Sequence, residues 1–138
     1  MDENGNIIYE LNNGNGKGKE YNEYGKLIYE GEYKNGQKNG YVKEYNYDGE
    51  LIFEGEYLNG QKNGKGKEYN YYGVFEGEYL NGQKNGYGKK YYYHLYGKST
   101  LLEGEYLNGK FWNGKRKRYD SDGKIIGEDE YKNGNNII

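Results

Sequence analysis

Aromatic and apolar residues alternate with charged residues along much of the chain, with a period of two. In the stretch LIFEGEY, Leu51, Phe53, Gly55 and Tyr57 fall on one face of an extended strand, and two glutamates fall on the other. Asn-Gly and Asp-Gly steps follow such stretches and supply the positive φ of tight reversals. A helix is disfavoured, because each interior glycine would cost about 1 kcal/mol relative to alanine. The pattern therefore predicts β-hairpins with "NGQKNG" as the tip and "NYDG" as the link.

The same phrase recurs at regular intervals. The twelve residues FEGEYLNGQKNG occupy 53–64 and again 75–86. Three columns align: the glycine of "EGEY" (Gly31, Gly55, Gly77, Gly104), a glycine after asparagine (Gly40, Gly64, Gly86, Gly114), and a tyrosine (Tyr45, Tyr69, Tyr91, Tyr119). We interpret residues 1–138 as a single repeat domain with full repeats at 27–50, 51–73, 74–98 and 99–124, and partial repeats at 1–26 and 125–138.

These repeats predict an all-β fold, an elongated single-layer twisted antiparallel sheet of consecutive hairpins. One hairpin alone is marginal in water, so each copy must pack against its neighbours. Glycine weakens a strand interior unless something lies against the bare backbone. We therefore expect an aromatic ring from an adjacent strand to cover Gly55.

Composition narrows the function classes. Hydrophobic residues make up only 33% of the chain and mean hydropathy is -1.36, but 21 tyrosines provide large apolar rings for a shallow core. The absence of cysteine excludes disulfides and thiol catalysis. A net charge of -2 gives no general attraction to nucleic acid, which is a disfavoured partner. No signal peptide or membrane-length apolar run is recognisable, so we expect a cytoplasmic protein, with a location peripheral to a membrane or the cytoskeleton as a variant.

The pattern resembles the MORN repeat (membrane occupation and recognition nexus). The matching positions of one copy are Phe53, Gly55, Tyr57, Gly60, Gly64 and Gly66, and the next copy matches at Phe75, Gly77, Tyr79, Gly82, Gly86 and Gly88. Val42 replaces the last glycine in the repeat at 27–50, and tyrosine stands where tryptophan is commoner. The linkage "YNYDGELIFEG" is similar to a bacterial antitoxin-like variant. The resemblance implies a hairpin array with a non-enzymatic role, as a scaffold, dimerisation module or phospholipid binder.

Few residues suit catalysis, so we predict no catalytic, cofactor or metal site. His94 is the only histidine and is interpreted as a linker side chain. A Ser-His-Asp arrangement with Ser99 or Ser121 could be built only around His94. "GKGK" and "GYGK" lack the following helix of a phosphate loop. The repeated "EGE" could offer oxygen ligands to Ca²⁺. Cross-strand pairing of its glutamates with lysines is favoured, because the array is regular; the lysines concerned are Lys43, Lys67 and Lys89.

The repeat at 99–124 departs from the others. Its tip, "LNGKFWNGKRKRY", has one extra residue and forms a basic-aromatic patch of Lys110, Phe111, Trp112, Lys115, Arg116, Lys117 and Arg118. Two interpretations stand equally: a surface for anionic lipid headgroups, RNA or an acidic protein, or aromatic residues that cap the sheet beside solvated cations.

The primary functional hypothesis is a non-enzymatic scaffold for protein–protein interaction. Unpaired outer strands would also favour a homodimer formed through sheet edges. The alternatives are peripheral phospholipid or phosphoinositide binding through the basic-aromatic patch, and an antitoxin or immunity role in which the protein covers a toxin. A hydrolase is disfavoured by the shortage of nucleophiles and bases.

Overall fold

The computed structural model describes the backbone of residues 8–12 and the backbone and side chains of residues 14–137. Residues 1–7, 13 and 138, which belong to the two predicted partial repeats and include most of the acidic N-terminus, lie outside the described residues. The chain forms two units, residues 1–66 and 67–138. The prediction of a single domain stays a prediction.

In the first unit, successive strands pair antiparallel in chain order. These strands are β1 (Ile8–Asn12), β2 (Asn15–Tyr21), β3 (Leu27–Lys34), β4 (Gln37–Tyr45) and β5 (Leu51–Leu58), and β6 (Gln61–Asn70) has residues in both units.

The second unit continues the same arrangement, with antiparallel pairing of neighbours in the chain. Its further strands are β7 (Gly73–Leu80), β8 (Gln83–Tyr93), β9 (Ser99–Leu107), β10 (Lys110–Tyr119), β11 (Ile125–Lys132) and β12 (Asn135–Asn136), with a short 3-10 turn at Leu95–Gly97 between β8 and β9. The predicted all-β, open antiparallel array of consecutive hairpins is confirmed.

From β3 onwards, the hairpin tips turn on two residues, an Asn-Gly step. Both residues of Asn35-Gly36 have positive φ, 51° and 78°, as a type I′ turn requires. The turn also docks onto the preceding hairpin: the Asn35 N–H donates to Asn15 Oδ1 at 3.1 Å and the Gly36 N–H to the Gly14 carbonyl at 2.9 Å. The second asparagine of a tip therefore positions the turn of the next hairpin.

One face of the sheet carries the core. Its buried side chains are Tyr29, Tyr33, Val42, Phe53, Phe75, Tyr79 and Tyr106. Lysine ammonium groups cover three of the rings, with the Nζ of Lys38, Lys62 and Lys84 at 4.3, 4.2 and 4.5 Å from the ring centroids of Tyr29, Phe53 and Phe75. The core is thus a single layer of rings beneath alkyl stems and cations.

The ring that covers Gly55 comes from its own strand, so the prediction of an adjacent-strand ring is wrong at this position. A Cβ on Gly55 would lie 2.9 Å from Phe53 Cζ and 2.6 Å from both Gly66 Cα and the Lys65 carbonyl oxygen. Phe53, two residues earlier on the same face, folds back over the glycine, and the neighbouring strand brings only backbone. Glycine is required here because ring and backbone both occupy the Cβ position.

The extra residue in the tip of the repeat at 99–124 changes strand register. Trp112 is bulged between the pairs Phe111–Tyr106 and Asn113–Glu105. Gly114 pairs with Gly104 here, whereas in the preceding repeat, whose own register shift lies between Gly77 and Tyr79, Gly77 pairs with Gly88. β10 is therefore displaced against β9 relative to the other hairpins.

Candidate binding site

The face opposite the rings carries cross-strand rows of glutamate and lysine. In the first unit Glu30 pairs in register with Lys19 on one side and Lys43 on the other, and Lys43 also faces Glu54. In the second unit Lys89 stands between Glu76 and Glu103. The predicted cross-strand pairing is confirmed for Lys89, whose Nζ lies 3.4 Å from Glu103 Oε2. Lys43 faces two glutamates in register, but neither it nor Lys67 forms an ion pair among residues 14–137.

The second glutamate of each "EGE" has a structural role. Glu32 Oε2 accepts the Tyr41 N–H at 2.8 Å, and its carboxylate lies where a Cβ of Gly40 would be, 2.3 Å away. Gly40 has φ +105°, so both space and backbone conformation require glycine. Glu56 and Glu78 bind the N–H groups after Gly64 and Gly86 in the same way. Within the described part of the chain, no group of three or more acidic or histidine side chains suits a metal ion.

Tyrosine hydroxyls bind the carboxylates on either side of Lys43. Tyr45 donates to Glu30 Oε1 at 2.7 Å, and Tyr41 donates to Glu54 Oε2 at 3.1 Å. Burial, followed by the hydrogen bond to Glu30, raises the pKa of Tyr45 to about 12. Burial and the hydrogen bond to Glu54 also raise the pKa of Tyr41. Both phenols therefore stay protonated donors at neutral pH.

A groove of about 670 Å³ lies over this face in the first unit. Gly18 and Gly31 belong to its lining, and the side chains that line it are Lys17, Lys19, Tyr21, Glu30, Glu32, Tyr41 and Lys43. Across residues 14–137, these three lysines form no ion pair within 4.0 Å. Of the carboxylates in register with these lysines, Glu30, Glu32 and Glu54 each accept a hydrogen bond from a tyrosine hydroxyl or a backbone N–H.

The structure divides the predicted basic-aromatic patch between two faces. Lys115 and Lys117 pair in register with Glu130 and Glu128 on the charged face, and Lys115 Nζ lies 3.2 Å from Glu128 Oε1. Lys110 is exposed at the hairpin turn, and the Trp112 ring lies against Gly134 of the next turn. The seven residues therefore do not form one surface.

The remaining patch residues belong to the aromatic face. Phe111 packs between Tyr106 and Tyr131, with ring centroids at 5.3 and 5.2 Å. Arg116 forms an ion pair with the buried Asp129, and Arg118 Nη2 lies 3.7 Å from Asp129 Oδ1. Phe111 is therefore packed among aromatic rings, as the capping interpretation expects. Both arginines are held on this face by Asp129.

The residues considered for catalysis are not brought together. His94 is exposed, stacks on Tyr92 and lies with Nε2 2.8 Å from Thr100 Oγ1. Ser121 packs against Gly97, and Ser99 pairs in register with Tyr93 and Tyr119. No helix within residues 14–137 has the length and apolar character needed to cross a membrane.

Sequence reasoning missed the groove, although two signals for it are in the sequence. Lys17 and Lys19 precede Tyr21 with the period of two that places all three on one face. Tyr41 and Tyr45 repeat that spacing around Lys43. Which donor each glutamate accepts is a matter of side-chain geometry, and residue types alone do not indicate it.

Comparison with known families identifies the repeated unit. The family model of the MORN repeat matches residues 29–50, 53–70 and 75–93, which lie within three of the predicted repeats. No curated protein matches the chain.

Proposed function

We propose that this chain, which carries MORN repeats at 29–50, 53–70 and 75–93, is a non-enzymatic scaffold that binds a protein partner. Such repeats are generally associated with scaffolds for protein and membrane interaction. The binding surface is the charged face of the first unit, at the groove over β2, β3 and β4. Self-association of the scaffold through the same face or through strand edges forms part of the proposal.

The groove itself carries the proposal. Its volume of about 670 Å³ falls within the range of ligand pockets. Tyr41, half exposed at its border, offers a large amphipathic ring of the type enriched in protein interfaces. The structural roles of Glu32 and Tyr45 leave this lining preorganised, so little ordering would oppose binding.

A photo-crosslinking amino acid at Tyr41 tests the proposal in the native cell. We expect discrete adducts with one or a few proteins, because the side chain lies at the groove. The same amino acid at Leu58, which is also half exposed but lies beside a hairpin turn, serves as the control. Equal adduct patterns at both positions, or none at Tyr41, would contradict the proposal.

Self-association has its own test. Light scattering across a range of concentrations should show a mass above that of the 16.1 kDa chain, and the Tyr41 variant should form a self-adduct. A constant monomer mass at all concentrations would remove self-association while leaving the partner-binding proposal to the crosslinking result.

A further inference from the structure

We infer that the groove binds an extended acidic segment of a partner protein, with carboxylates at alternate residues placed over Lys17 and Lys19. This inference rests on the proposed function and adds the chemistry of the partner to it. Lys43, two strands away, would bind a third carboxylate or the end of the segment.

The first argument is a difference between equivalent lysines. Lys89 and Lys115 of the second unit lie 3.4 and 3.2 Å from glutamate carboxylates. Lys17, Lys19 and Lys43 of the first unit face glutamates in register, but among residues 14–137 they form no ion pair. The lysines that line the groove are therefore not neutralised by a carboxylate among residues 14–137, and the same holds for Lys67 and Lys117, which occupy the repeat position of Lys89.

The second argument concerns the carboxylates that these lysines face. The Tyr45 hydroxyl holds Glu30 and the Tyr41 N–H holds Glu32, so both carboxylates at the groove have internal donors. The second oxygen of such a carboxylate can still accept a lysine, as in Glu68, where Oε1 accepts the Tyr79 hydroxyl and Oε2 lies 3.5 Å from Lys84 Nζ. Among residues 14–137, no lysine takes up that second oxygen at Glu30 or Glu32, so an incoming carboxylate meets ammonium groups that form no ion pair there.

The third argument is spacing. Lys17 and Lys19 are alternate residues of β2, so their side chains leave the strand about 6.8 Å apart on one face. Any extended segment with acidic residues at alternate positions presents carboxylates with the same spacing. Within the protein, Glu32 and Glu30 face Lys17 and Lys19 in register with this same spacing, although no ion pair joins them.

Fluorescence anisotropy at low salt tests the inference with the full chain and the labelled peptide GSEGEGESG. The peptide GSQGQGQSG, with glutamine for glutamate, is the ligand control. We expect binding of the acidic peptide only, weakening as salt is added because the contacts are ionic. Equal binding of both peptides, or none of either, would overturn the inference.

Two sets of variants locate the site. The triple change Lys17→Gln/Lys19→Gln/Lys43→Gln should weaken binding at least about tenfold. The matched change Lys34→Gln/Lys124→Gln/Lys132→Gln removes the same charge at exposed positions outside the groove and should leave affinity within about twofold. Circular dichroism establishes that both variants fold. Equal losses in the two would refute a specific site.

A variant without charge change tests the role of tyrosine. Tyr45→Phe removes the hydrogen bond to Glu30 Oε1, which leaves a less solvated carboxylate that attracts Lys19 or Lys43 more strongly, and should weaken peptide binding about threefold, although Tyr45 is not in the groove lining. Unchanged affinity would contradict the second argument and overturn the account of how the lysines become available.

Vesicle binding distinguishes an acidic protein segment from an anionic lipid as the ligand. Vesicles containing phosphatidylinositol bisphosphate are compared with pure phosphatidylcholine vesicles. Binding to the former that the groove triple variant abolishes, without peptide binding, would overturn the acidic-segment inference in favour of a membrane. A protein adduct at Tyr41 without peptide binding would refute only the inference that the partner segment is acidic. The absence of both the adduct and peptide binding would refute the proposed function as well.

Discussion

The hydroxyl of Tyr106 is buried and has no hydrogen-bond partner among the described residues. The equivalent Tyr33 donates to Glu20 Oε1 at 2.8 Å. Tyr33 pairs in register with Gly16, and Tyr106 pairs with Gly86. The residue four positions after that glycine is Glu20 in the first case and Lys90 in the second. An ammonium has no acceptor to offer a phenol. Removal of the hydroxyl should therefore have opposite effects in different repeats.

Tyr79 provides the comparison within the same unit. Its hydroxyl donates to Glu68 Oε1 at 2.6 Å, a charge-assisted bond, so Tyr79→Phe should lower the free energy of unfolding by about 1.5–3 kcal/mol. Tyr106→Phe removes a buried donor that has no acceptor. We expect it to leave the free energy of unfolding unchanged or to raise it by about 1 kcal/mol.

Supplying the acceptor should reverse the result. Lys90→Glu gives the Tyr106 hydroxyl a carboxylate and should stabilise the protein by about 1 kcal/mol, partly offset by loss of the Lys90 contact over the Tyr92 ring at 4.8 Å, worth about 0.5 kcal/mol. In that background, Tyr106→Phe should become destabilising by about 1–2 kcal/mol. The coupling in this double-mutant cycle measures the new hydrogen bond.

Urea unfolding followed by both circular dichroism and Trp112 fluorescence is the assay. Coincident transitions and equal m-values are needed before the midpoints are compared, because repeat arrays can lose cooperativity. The reasoning is refuted if Tyr106→Phe costs as much as Tyr79→Phe, or if Lys90→Glu leaves the effect of Tyr106→Phe unchanged.

Three further predictions concern other contacts of the fold. Gly77→Ala should lower the free energy of unfolding by about 1–3 kcal/mol in thermal or urea melts, because its Cβ would meet ring and backbone atoms within 2.8 Å; a neutral change would contradict this packing. Arg116→Met should cost about 3 kcal/mol, because it leaves the buried Asp129 without its main partner, whereas Arg116→Met/Asp129→Leu should cost less; a double variant no more stable than the single would exclude this explanation. The pKa of Tyr45 is raised to about 12, so its neutral form stabilises the fold below the unfolded pKa near 10, and this contribution is lost as pH rises towards 12. Tyr45→Phe should therefore flatten the fall in the free energy of unfolding between about pH 10 and 12. Equal slopes for the parent and the variant would contradict the prediction.

The hairpin array could be predicted because its causes are local. Asn-Gly at 35–36 and 59–60 permits two positive φ values in succession, and the period of two assigns Phe53 and its neighbouring glutamates to opposite faces. The position of the Phe53 ring was less predictable. A ring at that site can lean towards either neighbouring strand or along its own, and only packing decides that it covers Gly55.

The basic-aromatic patch was predicted as one cluster, and the sequence itself contains the reason why its residues lie on two faces. Lys115, Arg116, Lys117 and Arg118 are consecutive residues of β10, and consecutive side chains of a strand point to opposite faces. Consecutive basic residues of one strand therefore cannot form a single cluster, and Arg116 and Arg118 lie on the aromatic face. The groove was missed because it depends on which donor occupies each carboxylate.

The last repeats show how the aromatic face absorbs unusual residues. In "IIGEDEY", Gly127 replaces the ring found at Phe53, and Asp129 replaces the glycine beneath that ring. Arg118 then lies against Gly127, and Asp129 binds the guanidinium of Arg116, so two arginines fill space that a ring occupies elsewhere.

This exchange bears on where a partner can bind. Arg116 and Arg118 are engaged with Asp129, and Lys89 and Lys115 with glutamates, so these cations of the second unit would have to give up existing contacts to meet an anion. A ligand that must break an ion pair gains only the difference between the two interactions. Lys17, Lys19 and Lys43 line the groove of the first unit and form no ion pair among residues 14–137, so an acidic ligand would meet them without first breaking one. Binding specificity in this repeat protein would then depend on which cations at a groove stand outside ion pairs, more than on the number of basic residues.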